Sequence, residues 1–101
     1  MEILIILTTE SSKKKALRLA KLLIQKKLAA CVSIKKIFSI YEWEDRIEET
    51  EEFEITIKSK PELKDNLINY LGKISTYDVP QIIYNKYHAE KKYFDWLNRT
   101  I

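Results

Sequence analysis

An α+β fold of the ferredoxin-like βαββαβ type, a sheet with helices on one face and a short C-terminal helix added, is what this sequence predicts. Three observations lead there. Apolar residues recur at strand or helix spacing in the order β-α-β-β-α-β-α along the chain. The 101 residues contain no linker, repeat or low-complexity stretch, so 1–101 reads as a single domain. Between the second and third strands only the pair Glu44-Asp45 intervenes, so those strands form a long hairpin. Right-handed crossovers then bring the strands into one antiparallel sheet.

Each element has a local reason. Glu2 to Thr8 is nearly continuous in Ile and Leu, which suits a central strand covered on both faces. Thr9, Ser11 and Ser12 offer N-caps, and Glu10 is placed to face the positive end of a helix. Ala16, Leu19, Ala20, Leu23 and Ile24 then share one side of an amphipathic helix over 11–27, with lysines on the other side. In the β-rich run from Leu28 to Tyr41, alternation holds through Lys35 and fails at Ile37, Phe38 and Ile40, which predicts a bulge.

Glu44-Asp45 must turn the chain without glycine, at a steric cost of about 1 kcal/mol. On the return strand Phe53, Ile55 and Ile57 point one way and Glu52, Glu54, Thr56 and Lys58 the other. Pro61 starts a second helix over 61–72, carried by Leu63, Leu67, Tyr70, Leu71 and Ile74, with Gly72 marking its end. Pro80 opens a last strand through Ile82, Ile83 and Tyr84. Ala89, Tyr93, Trp96 and Leu97 share one face of the C-terminal helix. Helices on one face leave the other bare, yet Phe38, Tyr41, Trp43 and Tyr84 are large and apolar, so that face is expected to meet a second copy.

Composition narrows the function. At 46% hydrophobic residues the chain builds a core without a covalent staple. The single cysteine, Cys31, excludes an intramolecular disulfide and fits a reducing, cytoplasmic setting. The apolar run Ile3 to Leu7 is too short to cross a bilayer, so no membrane partner is expected. Residues 42–54 carry eight carboxylates against one arginine, while the rest holds 17 Lys+Arg against seven Asp+Glu. A nucleic-acid partner is not expected: the hairpin would repel phosphate, and no RNA-recognition aromatic motif accompanies the lysines at 13–27.

Five short runs in order resemble the CutA family of divalent-cation tolerance proteins: Lys27-Leu28-Ala29-Ala30-Cys31-Val32; Ser39-x-Tyr41-x-Trp43 with Ile47 and Glu52; Ile57-Lys58; Tyr77-x-x-Pro80; and Tyr93-x-x-Trp96-Leu97. The resemblance implies a subunit related in architecture to PII-type signalling proteins and assembled as a homotrimer. Long hairpin strands would there extend the sheets of neighbours. It also implies a response to metal ions, with copper or another divalent cation as the ligand. The chain departs from the family pattern at Asp45 (usually Gly), Ser75 (commonly His), Gln81 (often an acid) and Ser59 (usually Thr). Ser75 and Gln81 remove one nitrogen and one oxygen ligand from the same neighbourhood.

The candidate chemistry is sparse. Cys31 and His88 are the only soft metal ligands, and they share no ligand spacing. No phosphate loop, nucleophile–base pair or framed acid pair is present, so catalysis is not expected. Tyr41, Trp43, Glu52, Lys58, Tyr77 and Trp96 are the candidates for a ligand cleft between subunits, Lys58 favouring a small anion. A PII-like small-molecule or anion sensor is the alternative to a metal-tolerance role, with an RNA-binding module third.

Overall fold

The computed structural model describes all 101 residues. In chain order it contains β1 (Glu2–Glu10), α1 (Lys13–Gln25), β2 (Cys31–Trp43), β3 (Arg46–Ser59), a 3-10 turn at Pro61–Leu63, α2 (Lys64–Ile74), β4 (Ile83–His88) and α3 (Lys91–Thr100). The strands form one sheet in the order β2-β3-β1-β4, with every neighbouring pair antiparallel. This is the predicted ferredoxin-like α+β arrangement with its long hairpin.

The core lies between one face of the sheet and helices α1 and α2. Leu4 and Ile6 of β1 and Ile55 and Ile57 of β3 meet Ala16, Leu19 and Leu23 of α1 and Leu67 and Leu71 of α2, all buried. Each such Leu or Ile contributes about 1.5–3 kcal/mol when fully withdrawn from water. Ser12 caps α1 by accepting a hydrogen bond from the Lys15 amide at 3.2 Å. Ile24, expected on the buried stripe, is exposed instead, because the stripe closes on Leu19 and Leu23. The helix ends in a Schellman arrangement: Leu28 N–H donates to Leu23 O at 3.0 Å and Lys27 N–H to Ile24 O at 3.1 Å. Lys27 therefore sits at φ 58°, where glycine is usual.

Pairing of β2 with β3 is unbroken from Cys31↔Lys58 to Trp43↔Arg46, so the expected bulge is absent. Alternation fails in the sequence for another reason. β1 stops pairing with β3 at Glu10↔Phe53, and beyond that point neither face of the hairpin covers a core. The last seven residues of β2 pair only with β3 and project about 23 Å as a two-stranded arm. The arm stretches the molecule to 46 × 24 × 22 Å. Its radius of gyration, 14.3 Å, exceeds the roughly 13 Å of a compact chain this long. Glu44 and Asp45 turn the arm with φ 52° and 61°, a type I′ pair without glycine.

Three further expectations change. Gly72 lies inside α2, which runs to Ile74, and Ser75 terminates it. Pro80 and Ile82 precede β4, which begins at Ile83. The sheet face away from α1 and α2 is not bare, because α3 packs on it: Lys58 Nζ lies 5.9 Å from the Tyr93 ring centroid, Lys60 Nζ donates to Ile101 O at 2.8 Å, and Leu97 is buried. Register also splits the four large apolar residues. Tyr41 and Trp43 share the α3 side, whereas Phe38 and Tyr84 fall on the α1 and α2 side.

Left-handed backbone at Lys27 and Asp45 stores steric strain that glycine would release. Lys27→Gly and Asp45→Gly are each expected to stabilise the fold by about 0.5–1 kcal/mol net of glycine's greater unfolded-state freedom. Denaturant midpoints at fixed protein concentration measure this, and a destabilised variant would contradict it.

Candidate functional site

The largest cleft, about 500 Å³, opens where the arm leaves the sheet. Thr9 of β1, Tyr41 and Trp43 of β2 and Glu52 of β3 form one wall, and the segment between α2 and β4 supplies Thr76, Tyr77, Asp78, Val79 and Gln81. Register explains the first wall: all four of its residues share the face of the sheet opposite α1 and α2.

Two polar anchors hold the facing segment. Glu10, buried at the end of β1, accepts the Thr76 hydroxyl at 2.7 Å and the Thr76 amide at 3.3 Å. Glu10 also accepts the Ser11 amide at 3.3 Å and lies beside Lys15 and Arg18, so it ties the start of α1 to this loop. Tyr77 Oη donates to Glu52 Oε1 at 2.8 Å. Ser75, where the resemblance implied histidine, accepts the Tyr77 amide at 3.2 Å and shapes the turn. Burial pushes the Tyr77 phenol well above the usual tyrosine range, and the hydrogen bond to Glu52 and the charges of Glu52 and Glu10 add to it.

Of the six cleft candidates, Tyr41, Trp43, Glu52 and Tyr77 come together here. Lys58 and Trp96 do not. Both lie beside Tyr93 of α3, with the Tyr93 and Trp96 rings 5.5 Å apart. No lysine or arginine lines the cleft. Thr9, Thr76, Asp78 and Val79 escaped the sequence reading. The Asp78-Val79-Pro80 stretch beside Tyr77 was the one available signal for them.

Cys31 and His88 do not meet within one subunit. They stand on the edge strands β2 and β4, three strand spacings or about 14 Å apart, with side chains on opposite faces. No three His, Cys, Asp or Glu side chains converge anywhere in the subunit. The donor set of a single chain therefore does not fit a resident divalent cation. No helix is long and apolar enough to cross a membrane.

Fold and site define a class: a ferredoxin-like α+β subunit with a projecting two-stranded arm and an acidic, aromatic cleft at the arm's root. Comparison with known proteins gives the family. The CutA1 divalent ion tolerance protein family matches residues 4–100, and the chain belongs to that family. It is 34% identical to the divalent-cation tolerance protein CutA of Archaeoglobus fulgidus, covering 92% of each chain. It is 31% identical to the chloroplastic protein CutA of Arabidopsis thaliana, covering 96% of this chain and 54%, about half, of that one. The solved CutA of Synechococcus elongatus superposes with a TM-score of 0.94 at 32% identity, over 98% of this chain and 89% of that one. The A. fulgidus structure, described as periplasmic, gives 0.92 at 34% identity over 99% and 98%.

A phenol with a raised folded pKa contributes stability that is complete below the unfolded value near 10 and is lost as pH climbs through the folded value. Ultraviolet titration should therefore show one phenol that ionises above the usual tyrosine range and disappears in Tyr77→Phe. That variant should also lose about 1 kcal/mol at neutral pH through its broken hydrogen bond to Glu52. An unchanged titration curve in Tyr77→Phe would place the shifted phenol elsewhere.

Proposed function

We propose that the protein works as a homotrimer in divalent-cation tolerance, through assembly and ligand binding rather than catalysis. The observation that carries this is the arm. Phe38, Ile40 and Ile47 lie together on one of its faces at 79%, 71% and 77% exposure. A lone subunit gains nothing by presenting such a surface to water, and a neighbouring copy would cover it. The long outer edge of β2 also offers its backbone groups to another strand.

Charge supports the same reading. Within the subunit only Glu54 and Glu51 of the hairpin find cations, Lys35 at 3.4 Å and Lys36 at 3.2 Å. Lys13, Lys14, Lys15, Arg18 and Lys21 of α1 form no ion pair within the subunit. Contacts between copies would bring the two sets together, each exposed pair adding at most about 1 kcal/mol. The lone free cysteine supports a reducing, cytoplasmic setting.

A sensor role for the cleft is the second reading, favoured by its volume and its aromatic wall. Within one subunit Lys58, the candidate for an anion, lies beside α3 and not in this cleft.

Light scattering at low micromolar concentration should give about 36 kDa, three copies of the 12.0 kDa chain. Phe38→Glu combined with Ile47→Glu should reduce this to the monomer mass. A wild-type monomer, or a double variant that stays trimeric, would contradict the assembly. For metal, copper binding by the purified protein is expected to be weak and unchanged in Cys31→Ser and His88→Ala, since these side chains stand apart. Calorimetric titration reads it, and loss of tight binding in either variant would restore them as ligands.

A further inference from the structure

We propose that the cleft at the root of the arm binds a small organic ammonium cation. Three rings, Tyr41, Trp43 and Tyr77, line it together with the carboxylates of Glu52 and Asp78. Rings and carboxylates are the two surfaces that attract an alkylammonium group, the one through the electron-rich ring face and the other through charge. What marks the site is that the subunit's own cations leave it alone. Four other rings already hold a lysine ammonium at 5.4–5.9 Å: Tyr70, Phe38, Tyr93 and Tyr84. The cleft rings hold none, and neither Glu52 nor Asp78 is in an ion pair. In a chain with 18 Lys+Arg, no basic side chain lines this cleft.

Other occupants fit less well. Within the subunit an anion would face two carboxylates and no basic group. A bare metal ion would find two acids where three or more donors are needed, in a space far larger than an ion. A neutral apolar molecule would strip water from Glu52 and Asp78 and return no partner. An alkylammonium ion places its methyl or methylene groups on the rings and its charge near the acids. Glu52 Oε1 already accepts the Tyr77 hydroxyl, which fixes this carboxylate and aims its second oxygen's charge without help from the ligand.

The assignment names the ligand class for the sensor reading of the cleft and rests on that reading. Its test uses the assembled wild-type protein and two probes of nearly equal shape, choline and its uncharged carbon isostere 3,3-dimethylbutan-1-ol. Calorimetric titration should show choline binding, with the isostere weaker by about tenfold or more, the scale of one desolvated cation–aromatic contact plus a charge. Glu52→Gln and Trp43→Leu should each weaken choline by about tenfold, with the mass by light scattering unchanged. Equal binding of both probes, no heat with choline at tens of millimolar, or undiminished choline binding by both variants would overturn the proposal. A trimer that ignores choline refutes the cleft assignment alone, whereas a monomeric wild type refutes the assembly.

Discussion

Antiparallel pairing of β2 with β3 runs beyond the point where β1 ends, and most of the protein's character depends on that mismatch. Thirteen consecutive cross-strand pairs hold the hairpin as one ribbon, but only its inner half has helices or a third strand beside it. The outer half is ordered by backbone hydrogen bonds without burying a core. Side chains there are free to serve surfaces other than the subunit's own, which is why Phe38, Ile40 and Ile47 coexist with a dense run of glutamates. The cleft exists for the same reason. Its wall of Tyr41, Trp43 and Glu52 stands on strand that β1 no longer accompanies, and the segment after α2 folds against it.

That segment is held by side chains rather than by a ladder. Glu10 grips Thr76 from the end of β1 and Glu52 receives Tyr77 from β3, so two carboxylates on different strands position one loop. Both grips are part-buried, where a hydrogen bond to a charged acceptor is worth more than on an open surface. Glu52 also gives the cleft part of its negative character, together with Asp78. Structure and electrostatics are therefore not separable here.

Much of this was legible in the residues. Periodicity located all seven main elements, and the glycine-free turn at Glu44-Asp45 fell where the apolar pattern reversed. The failures have particular causes. The supposed bulge at Ile37 to Ile40 came from reading lost alternation as a change of register, when it marks strand that has left the core. Gly72 suggests a stop, yet it lies inside α2, which ends at Ser75; no positive φ or close approach at that position requires glycine. Phe38 and Tyr84 were grouped with Tyr41 and Trp43 by size, whereas face follows register alone. Glu10 does stand at the start of α1, but its strongest partner, Thr76, lies 66 residues away, a contact no window of sequence can display. Lys58 and Trp96, expected at a cleft between subunits, stand beside Tyr93 of α3 within the subunit, apart from the cleft at the arm's root.

The position of β1 also has a consequence for how the chain reaches this state. It precedes the other three strands in the chain and sits between β3 and β4, with Glu2 opposite His88 and Leu7 opposite Ile83. The hairpin β2–β3 closes through near neighbours and needs little search, while the β1–β4 register spans almost the whole chain. Until the residues from Ile83 onward leave the ribosome, one edge of an Ile- and Leu-rich strand has no mate. Nascent chains are thus most prone to sticking together in the interval between completing β3 and delivering β4, and the lysine-dense helix α1, formed beside β1 in that interval, supplies like-charge repulsion when it is most needed.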